Sequence, residues 1–428
     1  MSGQRYLVVG LRRSGVAACE AILRMWPGAQ VVATDRATDV DAARLRGAGV
    51  EVLLGDEPLS LQGVTAVIKS PGVPSSAPPV AAARAAGVPV WSEVELAARM
   101  LPNPIIGVTG TNGKTTTTEL IGAMLREQGL EVEVAGNVGR ALSELPGRSD
   151  PDAWVVCELS SFQLEDIDRF HCRVAVILNI TPDHLDRHGG MEEYARSKLR
   201  ILENQTADDV AVLNANDPVL RAAELPGEGR RIWFTREQSD RLDWDHARIR
   251  GQHNLDNALA AAAAAEAAGA SEATWNRALG AFEAPAHRLQ TVAERDGVRF
   301  VDDSKATNPE AAMQALTAFD RGVHLILGGS LKGASFAPLA ATVAAGPVVS
   351  VHLIGQSAGA IAEALDEAGV AYSDDGTLET AVRSAAAAAE PGDTVLLSPA
   401  SASFDQFRDY EHRGQVFAEL AREVPVGS

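Results

Sequence analysis

A glycine-rich segment in the first third of the chain carries one lysine among hydroxyl and amide side chains. It reads Gly110-Thr-Asn-Gly-Lys-Thr115, follows an apolar run at 105–108 and leads into a segment of helical periodicity. Anions bind well at such a strand–loop–helix junction, because backbone N–H groups and the positive end of the helix dipole point at them. We therefore predict a phosphate-binding loop. Val108 occupies the first glycine position of the strict pattern, so an ordinary glycine-rich turn remains the alternative.

The side chains of this loop suit a nucleotide. Lys114 can neutralise charge on the β- and γ-phosphates, and the Thr115 hydroxyl can bind Mg²⁺. The helix that follows, around residues 116–127, places its apolar residues on one face. The residues predicted to contact ATP at this loop are Gly110, Thr111, Asn112, Gly113, Lys114, Thr115 and Thr116.

Two apolar segments downstream of the loop end in polar residues. The predicted strand 154–159 carries Glu158, and the predicted strand 174–180 runs into Thr181-Pro-Asp-His184. Open parallel sheets bind ligands at the carboxyl ends of their strands, and Mg²⁺ prefers carboxylate and phosphate oxygens. We therefore predict Glu158 as a metal ligand and His184 as a metal contact. The alternatives are a salt bridge at the sheet edge for Glu158 and an ordinary loop histidine for His184.

Strand and helix patterns alternate through three blocks of the sequence. The predicted strands are apolar runs at 6–10, 30–33 and 64–68, then 105–108, 154–159 and 174–180, then 299–301, 323–327, 351–354 and 394–397. Alanine-rich segments, including 260–265 and 385–389, have helical character. The fold class is therefore α/β, with a doubly wound parallel sheet in the first block and a second Rossmann-like unit in the third. The predicted domains are 1–92, 93–284 and 285–428.

Composition restricts the classes of function. The chain has 428 residues, a net charge of −19 and only three cysteines. The acidic excess argues against a broad surface for nucleic acid or anionic lipid. The cysteines fit a reducing compartment, and Cys157 and Cys172 lie in or beside apolar runs where burial is expected. The N-terminus lacks the features of an export signal and no run could span a membrane, so we expect a cytoplasmic protein without membrane or nucleic-acid partners.

Several segments together resemble one known family. Gly107-Val-Thr-Gly-Thr-Asn-Gly-Lys-Thr-Thr116 is similar to the ATP loop of the Mur ligases. Glu158-Leu-Ser-Ser-Phe-Gln163 and Asn179-Ile-Thr-Pro-Asp-His-Leu-Asp-Arg-His188 are similar to the metal and catalytic segments of that family. The resemblance covers essentially the whole chain. It implies three domains: a Rossmann-like domain that binds a UDP-linked substrate, a P-loop ATPase-like domain and a Rossmann-like C-terminal domain.

The resemblance also assigns a role to a lysine that would otherwise attract no interest. In isolation, Lys198 would be an exposed lysine on a helix. The segment Tyr194-Ala-Arg-Ser-Lys-Leu199, however, resembles the one whose lysine is carbamylated in most Mur ligases. The catalytic residues implied by the resemblance are Lys114, His184 and Lys198, and the implied metal ligands are Thr115, Glu158, His184 and Lys198.

Further nucleotide contacts are implied in the second half of the chain. Gly251-Gln-His-Asn-Leu-Asp-Asn257 resembles a helix start near the adenine and phosphates, although Asn254 could simply cap that helix. His287-Arg288 and Asp302-Asp-Ser-Lys-Ala-Thr-Asn-Pro309 resemble segments of the C-terminal domain that face ATP. The implied contacts are Asn254, Asn257, Arg288, Asp303 and Lys305.

Within the family, the chain resembles the members that add D-glutamate to UDP-N-acetylmuramoyl-L-alanine. Ser398-Pro-Ala-Ser-Ala-Ser403 is similar to the stretch that holds the D-glutamate carboxylates, and a lysine with a hydroxyl suits a dicarboxylate. Two departures stand out: Arg12 replaces a family glycine in the first loop, and Ser330 stands where some relatives carry aspartate. The implied substrate contacts are Ser14, Asp35, Arg36, Gly72, Asn137, Ser160, His184, Lys332, Ser403 and Tyr410.

The reaction implied by the resemblance is ATP-dependent amide formation through an acyl phosphate. It takes ATP and Mg²⁺ as cofactors and two small-molecule substrates, and a monomer is expected. Three alternatives remain. The chain could be a sister ligase that adds another amino acid, a variant specific for L-glutamate, or a catalytically silent nucleotide-binding scaffold. Loss of Lys114, Glu158 or His184 would favour the scaffold, and all of them are present.

Overall fold

Three separate β-sheets organise the chain. The computed structural model describes residues 3–38, 40, 42–55, 57, 59–249, 251–283, 286–331 and 335–426. The chain divides into two compact units, the first formed by Met1–Ile180, Glu192–Ala247 and Leu255–Phe282, and the second by Thr181–Met191, Arg248–Asn254 and Glu283–Ser428. Two sheets belong to the first unit and one to the second. The α/β class predicted from the sequence is confirmed.

The first sheet has five parallel strands in the order β3-β2-β1-β4-β5. Apolar clusters cover both of its faces, as a doubly wound sheet requires. The strands are β1 Arg5–Val9, β2 Gln30–Asp35, β3 Glu51–Leu54, β4 Val64–Lys69 and β5 Val90–Ser92. The helices are α1 Arg13–Met25, α2 Ala43–Gly47, α3 Pro78–Ala85 and α4 Glu93–Ala98.

The second sheet has six parallel strands in the order β11-β10-β9-β6-β8-β7. The strands are β6 Ile105–Thr109, β7 Val132–Gly136, β8 Trp154–Glu158, β9 Val174–Ile177, β10 Val210–Asn214 and β11 Arg230–Phe234. The helices in this part of the chain are α5 Lys114–Glu127, α6 Ser161–Leu164, α7 Leu185–His188, α8 Met191–Leu199, α9 Pro218–Ala222, α10 Gln252–Ala267 and α11 Glu272–Ala281. The alanines at 260–265 lie in α10, in agreement with their helical character, and all of them are buried, so this part of the helix is enclosed on every side.

One strand of the second sheet is shorter than its sequence predicts. The apolar run 174–180 leads us to expect a strand to residue 180, but β9 ends at Ile177. Leu178 still donates its backbone N–H to the carbonyl oxygen of Thr109 in β6 at 3.1 Å, and its own carbonyl oxygen accepts from the Asn214 side chain at 2.9 Å. The following residue, Asn179, bonds the phosphate loop. The apolar pattern continues past the strand end because these residues are still buried.

The third sheet has six strands in the order β12-β13-β17-β14-β15-β16, and only the β12–β13 pair is antiparallel. The strands are β12 Gln290–Arg295, β13 Val298–Asp302, β14 Val323–Gly328, β15 Val348–Ile354, β16 Ser373–Gly376 and β17 Thr394–Leu397. The helices are α12 Pro309–Leu316, α13 Ala337–Ala345, α14 Ala358–Glu367, α15 Leu378–Ala388 and α16 Tyr410–Glu423. Apolar clusters again cover both faces.

A row of hydrogen-bonded polar side chains crosses one face of the third sheet. The Ser350 hydroxyl of β15 is 2.8 Å from His324 Nδ1 of β14 and 2.8 Å from His352 Nε2. At the two ends, His324 Nε2 is 3.1 Å from Asp393 and His352 Nδ1 is 2.9 Å from Asp375 of β16. Both imidazoles are buried. This row of side chains therefore joins the neighbouring strands β14, β15 and β16 by hydrogen bonds.

The structure shows where the three cysteines lie and whether any described helix could span a membrane. All three cysteines are free and buried, and burial is the main cause that raises the pKa of the Cys19 thiol to about 12. Their low reactivity follows, since the thiolate is the nucleophilic form. No helix within the described part of the chain has both the length and the apolar character needed to cross a membrane.

Candidate functional site at the phosphate loop and neighbouring strand ends

The phosphate loop connects β6 to α5, as the sequence predicts. Gly113 lies in the left-handed region, with φ 85°, and immediately precedes the helix. A Cβ atom at this position would lie 2.1 Å from Asn257 Oδ1 of α10. Glycine is therefore required both by the backbone conformation and by the close approach of α10. The contact also brings the predicted nucleotide contact Asn257 to the loop, alongside Gly113.

Lys114 opens α5 and turns its ammonium group back over the loop. It donates to the carbonyl oxygens of Gly110 at 2.9 Å and Thr111 at 2.7 Å. The side chain of Lys114 is half-buried, and Thr115 beside it is also half-buried, whereas Thr116 is buried. The lysine is thus placed at the loop, where a phosphate group would be bound.

Lys198 reaches the same loop from α8. Its ammonium group donates to the carbonyl oxygen of Gly110 at 2.7 Å and lies 4.6 Å from the centre of the Tyr194 ring. Tyr194 in turn shares a hydrogen bond with Thr111 at 3.1 Å. Lys198 is only 2% exposed. The expectation of an exposed helix lysine, drawn from the residue in isolation, is wrong because α8 packs onto the loop.

Glu158 lies at the carboxyl end of β8, directly beside the strand that leads into the loop. β6 and β8 pair with Val108 opposite Glu158. The carboxylate is buried and accepts a hydrogen bond from the Asn137 amide at 3.0 Å. The burial of Glu158 argues against the alternative of a salt bridge at the sheet edge. Glu158 and Asn137 are thus brought together, as two of the predicted site residues.

Asn179 is a residue of the site for which no role is predicted from the sequence. Its side chain accepts from the backbone N–H of Asn112 at 2.8 Å and donates to the carbonyl oxygen of Asn112 at 3.1 Å. This pair of bonds fixes the middle of the phosphate loop. The signal was available, because Asn179 is the first residue of the segment that resembles the family's catalytic motif.

Ser160 performs a local structural task at the start of α6. Its hydroxyl accepts from the backbone N–H of Gln163 at 3.3 Å, while the Gln163 side chain accepts from the backbone N–H of Ser160 at 3.0 Å. This reciprocal cap satisfies donors that the short helix leaves open. A substrate contact by Ser160 stays a prediction.

The first sheet presents its own glycine loop after β1. Gly10 has φ 91°, and the Ser70 hydroxyl donates to its carbonyl oxygen at 2.9 Å. Asp35 at the end of β2 accepts from the backbone N–H groups of Leu11 at 2.6 Å and Ala37 at 2.9 Å. Asp35 therefore shapes this loop. The other predicted substrate contacts here are Ser14, which is half-buried in α1, and Arg36 and Gly72, which are exposed.

His184 lies in the second unit, at a backbone position with φ 54°. Its Nε2 atom is 3.6 Å from Asp183 Oδ2. The same Asp183 oxygen accepts from the Asn308 amide at 3.2 Å. The left-handed backbone of a non-glycine residue costs free energy, and such positions cluster at functional sites. The metal contact of His184 stays a prediction.

Asn254 does not cap α10. The helix begins at Gln252, so Asn254 is already inside its first turn, and its backbone N–H donates to Gly251 at 3.1 Å. The capping alternative is therefore wrong. Asn254 and Asn257 both lie in α10, three residues apart, and so face the same side of the helix.

The C-terminal residues predicted at ATP form a distinct cluster within the second unit. Burial is the main cause that raises the pKa of Asp303 to about 7, while a hydrogen bond from Ser398 and the charge of Arg288 act in the opposite direction. The Lys305 ammonium lies 3.7 Å from the centre of the Tyr410 ring. Lys305 and Tyr410 carry different predicted roles, for ATP and D-glutamate, and the structure places them in contact.

The predicted amino-acid site lies at the carboxyl edge of the third sheet. Ser403 is buried and its carbonyl oxygen accepts from Phe407 N–H at 2.9 Å. Ser330 donates to Asp405 Oδ1 at 3.4 Å, so an aspartate is supplied by another part of the chain beside the position where some relatives carry one. Lys332 lies outside the described residues. The carboxylate-binding roles of Lys332 and Ser403 stay predictions.

The donor atoms at the phosphate loop suit a hard divalent cation. The Thr115 hydroxyl and the Glu158 carboxylate are oxygen donors of the kind that Mg²⁺ prefers. In the described ranges, no three histidine, cysteine, aspartate or glutamate side chains are grouped to hold a metal. A cation here would therefore need further oxygens, from nucleotide phosphates or a carbamate. The ligand set of Thr115, Glu158, His184 and Lys198 stays a prediction.

Comparisons with known proteins extend to the whole chain. Residues 108–248 match the Mur ligase middle domain, and residues 287–401 match the Mur ligase glutamate ligase domain. The UDP-N-acetylmuramoylalanine–D-glutamate ligase of Solibacter usitatus is 44% identical, with 98% of both chains covered. The protein of the same name from Acidobacterium capsulatum is 43% identical over 98% of this chain and 96% of its own.

Solved structures show the same architecture at much lower identity. The MurF protein of Acinetobacter baumannii is 19% identical, with 99% of this chain and 91% of that chain covered, and superposes with a TM-score of 0.62. This similarity concerns the fold alone. Two matched domains, full-length relatives and a phosphate loop built from the expected residues lead to one conclusion. The chain belongs to the Mur ligase family.

Proposed function

We propose that this chain ligates D-glutamate to UDP-N-acetylmuramoyl-L-alanine at the expense of ATP, in peptidoglycan precursor synthesis. The observation that carries the proposal is the full-length identity of 43–44% to ligases named for this reaction. The geometry supports the nucleotide part, since Lys114 and Lys198 both bond the phosphate loop and Glu158 ends the neighbouring strand. The cytoplasm is the proposed location, consistent with three free cysteines.

The proposed reaction has two steps. The terminal carboxylate of the UDP-linked substrate first attacks the γ-phosphoryl group of ATP, which forms an acyl phosphate and releases ADP. The amine of D-glutamate then attacks the acyl carbon, and the tetrahedral intermediate collapses to an amide and inorganic phosphate. Carboxylate and γ-phosphate are both anionic, so the site must screen their charges.

Different residues of the site would bind the phosphates, Mg²⁺, the rest of the nucleotide and D-glutamate. Lys114 would neutralise the phosphates, and loop residues 110–116 with Asn257 would hold the nucleotide. Thr115, Glu158, His184 and a carbamylated Lys198 would hold Mg²⁺, which when bound supplies positive charge against the phosphate oxygens. Asn254, Arg288, Asp303 and Lys305 are further proposed nucleotide contacts, and Lys332, Ser403 and Tyr410 are proposed contacts of D-glutamate.

The proposed domains are 1–92, 93–284 and 285–428. Each contains one of the three sheets, whose strands span 5–92, 105–234 and 290–397. The first domain would bind the UDP-linked substrate, through Ser14, Asp35, Arg36 and Gly72, with Asn137 and Ser160 contributing from the second. The second would bind ATP and the third the amino acid.

A phosphate-release assay tests the proposed function and its alternatives. With UDP-N-acetylmuramoyl-L-alanine, ATP and Mg²⁺, phosphate release should require D-glutamate, and L-glutamate should be a poor substrate. Equal rates with both enantiomers would contradict D-specificity, and a panel of other amino acids distinguishes a sister ligase. No release with any amino acid would favour the silent scaffold.

A further inference from the structure

Lys69 is the last residue of β4 and its side chain is fully buried. Its ammonium nitrogen lies 2.6 Å from Asp166 Oδ2 and 3.2 Å from Glu165 Oε2, and donates to the Ser75 hydroxyl at 3.2 Å. Asp166 is also paired with Arg84 of α3 at 2.6 Å. Burying such charges is costly even when they are paired, so a cluster of this kind is weak evidence for added stability. The main effect of the cluster is to hold the end of β4 and the segment after α6 in fixed positions.

The cluster connects two turns that carry predicted substrate contacts. Lys69 immediately precedes Ser70-Pro-Gly72, and the Ser70 hydroxyl bonds the Gly10 carbonyl of the first glycine loop. Glu165 and Asp166 immediately follow α6, the helix that Ser160 caps. The backbone carbonyl of Asp166 also accepts from Ser92 of β5 at 2.8 Å. One buried lysine thus links the carboxyl edge of the first sheet to a turn at the carboxyl edge of the second.

Arg200 holds the same segment from another direction. Its guanidinium group donates to the carbonyl oxygens of Leu164 at 3.1 Å and Ile167 at 2.7 Å, and also to that of Glu165. Arg200 directly follows α8, two residues after Lys198. Segment 164–167 is therefore fixed through its carboxylates by Lys69 and through its carbonyls by Arg200. The helix that carries Lys198 is attached to the same segment.

We propose that Lys69 is a positioning residue of the ligase reaction, and that Arg200 is its counterpart. Lys69 keeps the turn at 70–72 and the turn after α6 in one arrangement, so that a substrate bound at the first sheet presents its carboxylate to the phosphate loop. The identity of that substrate rests on the proposed function. A misplacement of about 1 Å can reduce a rate by about 100-fold, so a link of this kind affects catalysis without touching substrate.

Hydrogen exchange tests the link without any turnover. In Lys69→Met, backbone amides of residues 70–77 and 164–168 should both exchange faster, while amides of α5 should exchange as in the wild type. Arg99→Met is the matched control, because Arg99 pairs with the buried Glu95, whose carboxylate accepts from the backbone of residues 168–170. This control should leave residues 70–77 unchanged. If Lys69→Met leaves either turn unchanged, Lys69 does not link them and the proposal is wrong.

Steady-state kinetics test the consequence for the reaction. Lys69→Met should lower kcat/KM for the UDP-linked substrate about tenfold or more, while KM for ATP should change by less than about twofold. Lys69→Arg should recover most of the loss, and Arg99→Met should leave both values unchanged. If Lys69→Met does not fold, Glu165→Gln, which weakens the same link at a partly exposed residue, should lower the same kcat/KM by a smaller factor.

The outcomes separate this proposal from the proposed function. An unchanged kcat/KM for the UDP-linked substrate in folded Lys69→Met, or in Glu165→Gln when Lys69→Met is unfolded, overturns the positioning role. A wild-type chain that releases no phosphate with this substrate refutes the proposed function instead. The exchange experiment then still decides whether Lys69 links the two turns.

Discussion

Two lysine ammonium groups share one carbonyl oxygen at the phosphate loop. Gly110 accepts from Lys114 at 2.9 Å and from Lys198 at 2.7 Å. Like charges this close repel, and the repulsion is relieved by a bound anion or by conversion of one amine into an anion. The two ammonium groups therefore favour the binding of a phosphate group at this loop. The same repulsion gives a physical reason for modifying Lys198.

Lys114→Ala should abolish ATP turnover while leaving the fold intact. Removing the cation deprives the developing charge on the phosphates of its main side-chain partner, and a loss of about 100-fold or more is expected. The side chain is only half-buried, so thermal unfolding should be close to that of the wild type. Phosphate release checks the first expectation and circular dichroism the second. Arg126→Ala, at the other end of α5, is the control, and near-normal phosphate release by Lys114→Ala would show that ATP binds elsewhere.

Lys198 is predicted to carry a carbamate. Reaction of the neutral amine with CO₂ forms an N–C bond and releases a proton, and the product offers Mg²⁺ the oxygen ligand that an ammonium group cannot. Lys198→Ala should therefore lose about 100-fold or more of its activity. Acetate or formate should restore part of it, because a free carboxylate can occupy the vacated space.

Ammonium salts are the control for this rescue, since they restore the charge of an unmodified lysine. Rescue by ammonium and not by carboxylate would contradict the carbamate. So would full activity of Lys198→Ala without any additive. Phosphate release at saturating ATP is the measurement in each case.

Site residues differ in how far the sequence alone reveals them. Lys114 and Thr115 are recognisable because the whole loop is local in sequence. Lys198 is recognisable only by resemblance, since its burial against the loop depends on how α8 packs. The link between Lys69 and Asp166 has no sequence signal, because its members are far apart in the chain and an isolated buried lysine looks like any other.

At the scale of secondary structure, the sequence reveals the interior strands and misses the edges. Every strand predicted from an apolar run lies inside its sheet, whereas the edge strands β3, β5, β7, β11, β12 and β16 were not predicted. An interior strand of a parallel sheet is covered on both faces and so is apolar throughout. Edge strands such as β16, Ser-Asp-Asp-Gly, are partly exposed and resemble loops. The buried strand β10 was also missed, although its sequence is apolar.

Helix α4 carries a buried carboxyl group that should make stability depend on pH. Burial raises the pKa of Glu93 to about 7, although the backbone N–H of Ser143 donates to it at 2.6 Å. A glutamate in the unfolded chain ionises near pH 4.3, so folding becomes less favourable as the pH rises from there to about 7. Above pH 7 the full cost applies, on the order of 3 kcal/mol.

Glu93→Gln should therefore stabilise the protein at pH 8, and the gain should shrink as the pH falls towards 5. Urea unfolding at several pH values measures this difference. Glu95→Gln is the matched control on the same helix. Glu95 is equally buried but accepts three backbone N–H groups, so its replacement should destabilise the protein. A Glu93→Gln variant less stable than the wild type at pH 8 would refute the cost assigned to Glu93.

At the scale of the whole molecule, the resemblance predicted the family and the three sheets but not the division into two compact units. Residues 181–191 lie between β9 and β10, and residues 248–254 lie between β11 and the body of α10, yet both segments group with the C-terminal part of the chain. Such regrouping depends on contacts between distant segments. No local pattern of residues reports them.

The chain is expected to be a monomer. Among the described residues, the exposed large hydrophobic side chains are Leu331, Val349 and Phe404. A stable dimer normally buries a broad apolar patch, which these few side chains would not supply. The net charge of −19 further opposes self-association. Sedimentation equilibrium should therefore give the mass of one chain, 45.0 kDa, and a mass about twice as large, independent of salt, would contradict this prediction.

The hydrogen bonds between the side chains that join β14, β15 and β16 require a definite number of protons on the two histidines. Asp393 and Asp375 each hold a ring N–H of their histidine, which turns the second nitrogen of each ring towards Ser350. A neutral imidazole offers only a lone pair there, and a hydroxyl group has one hydrogen, so Ser350 can satisfy one ring but not both. The row of hydrogen bonds is complete only when the two rings together hold one additional proton. Burial lowers the pKa of His352, which means that placing a positive charge on this ring costs free energy. These three strands can thus have a complete row of side-chain hydrogen bonds or two uncharged imidazole rings, but not both.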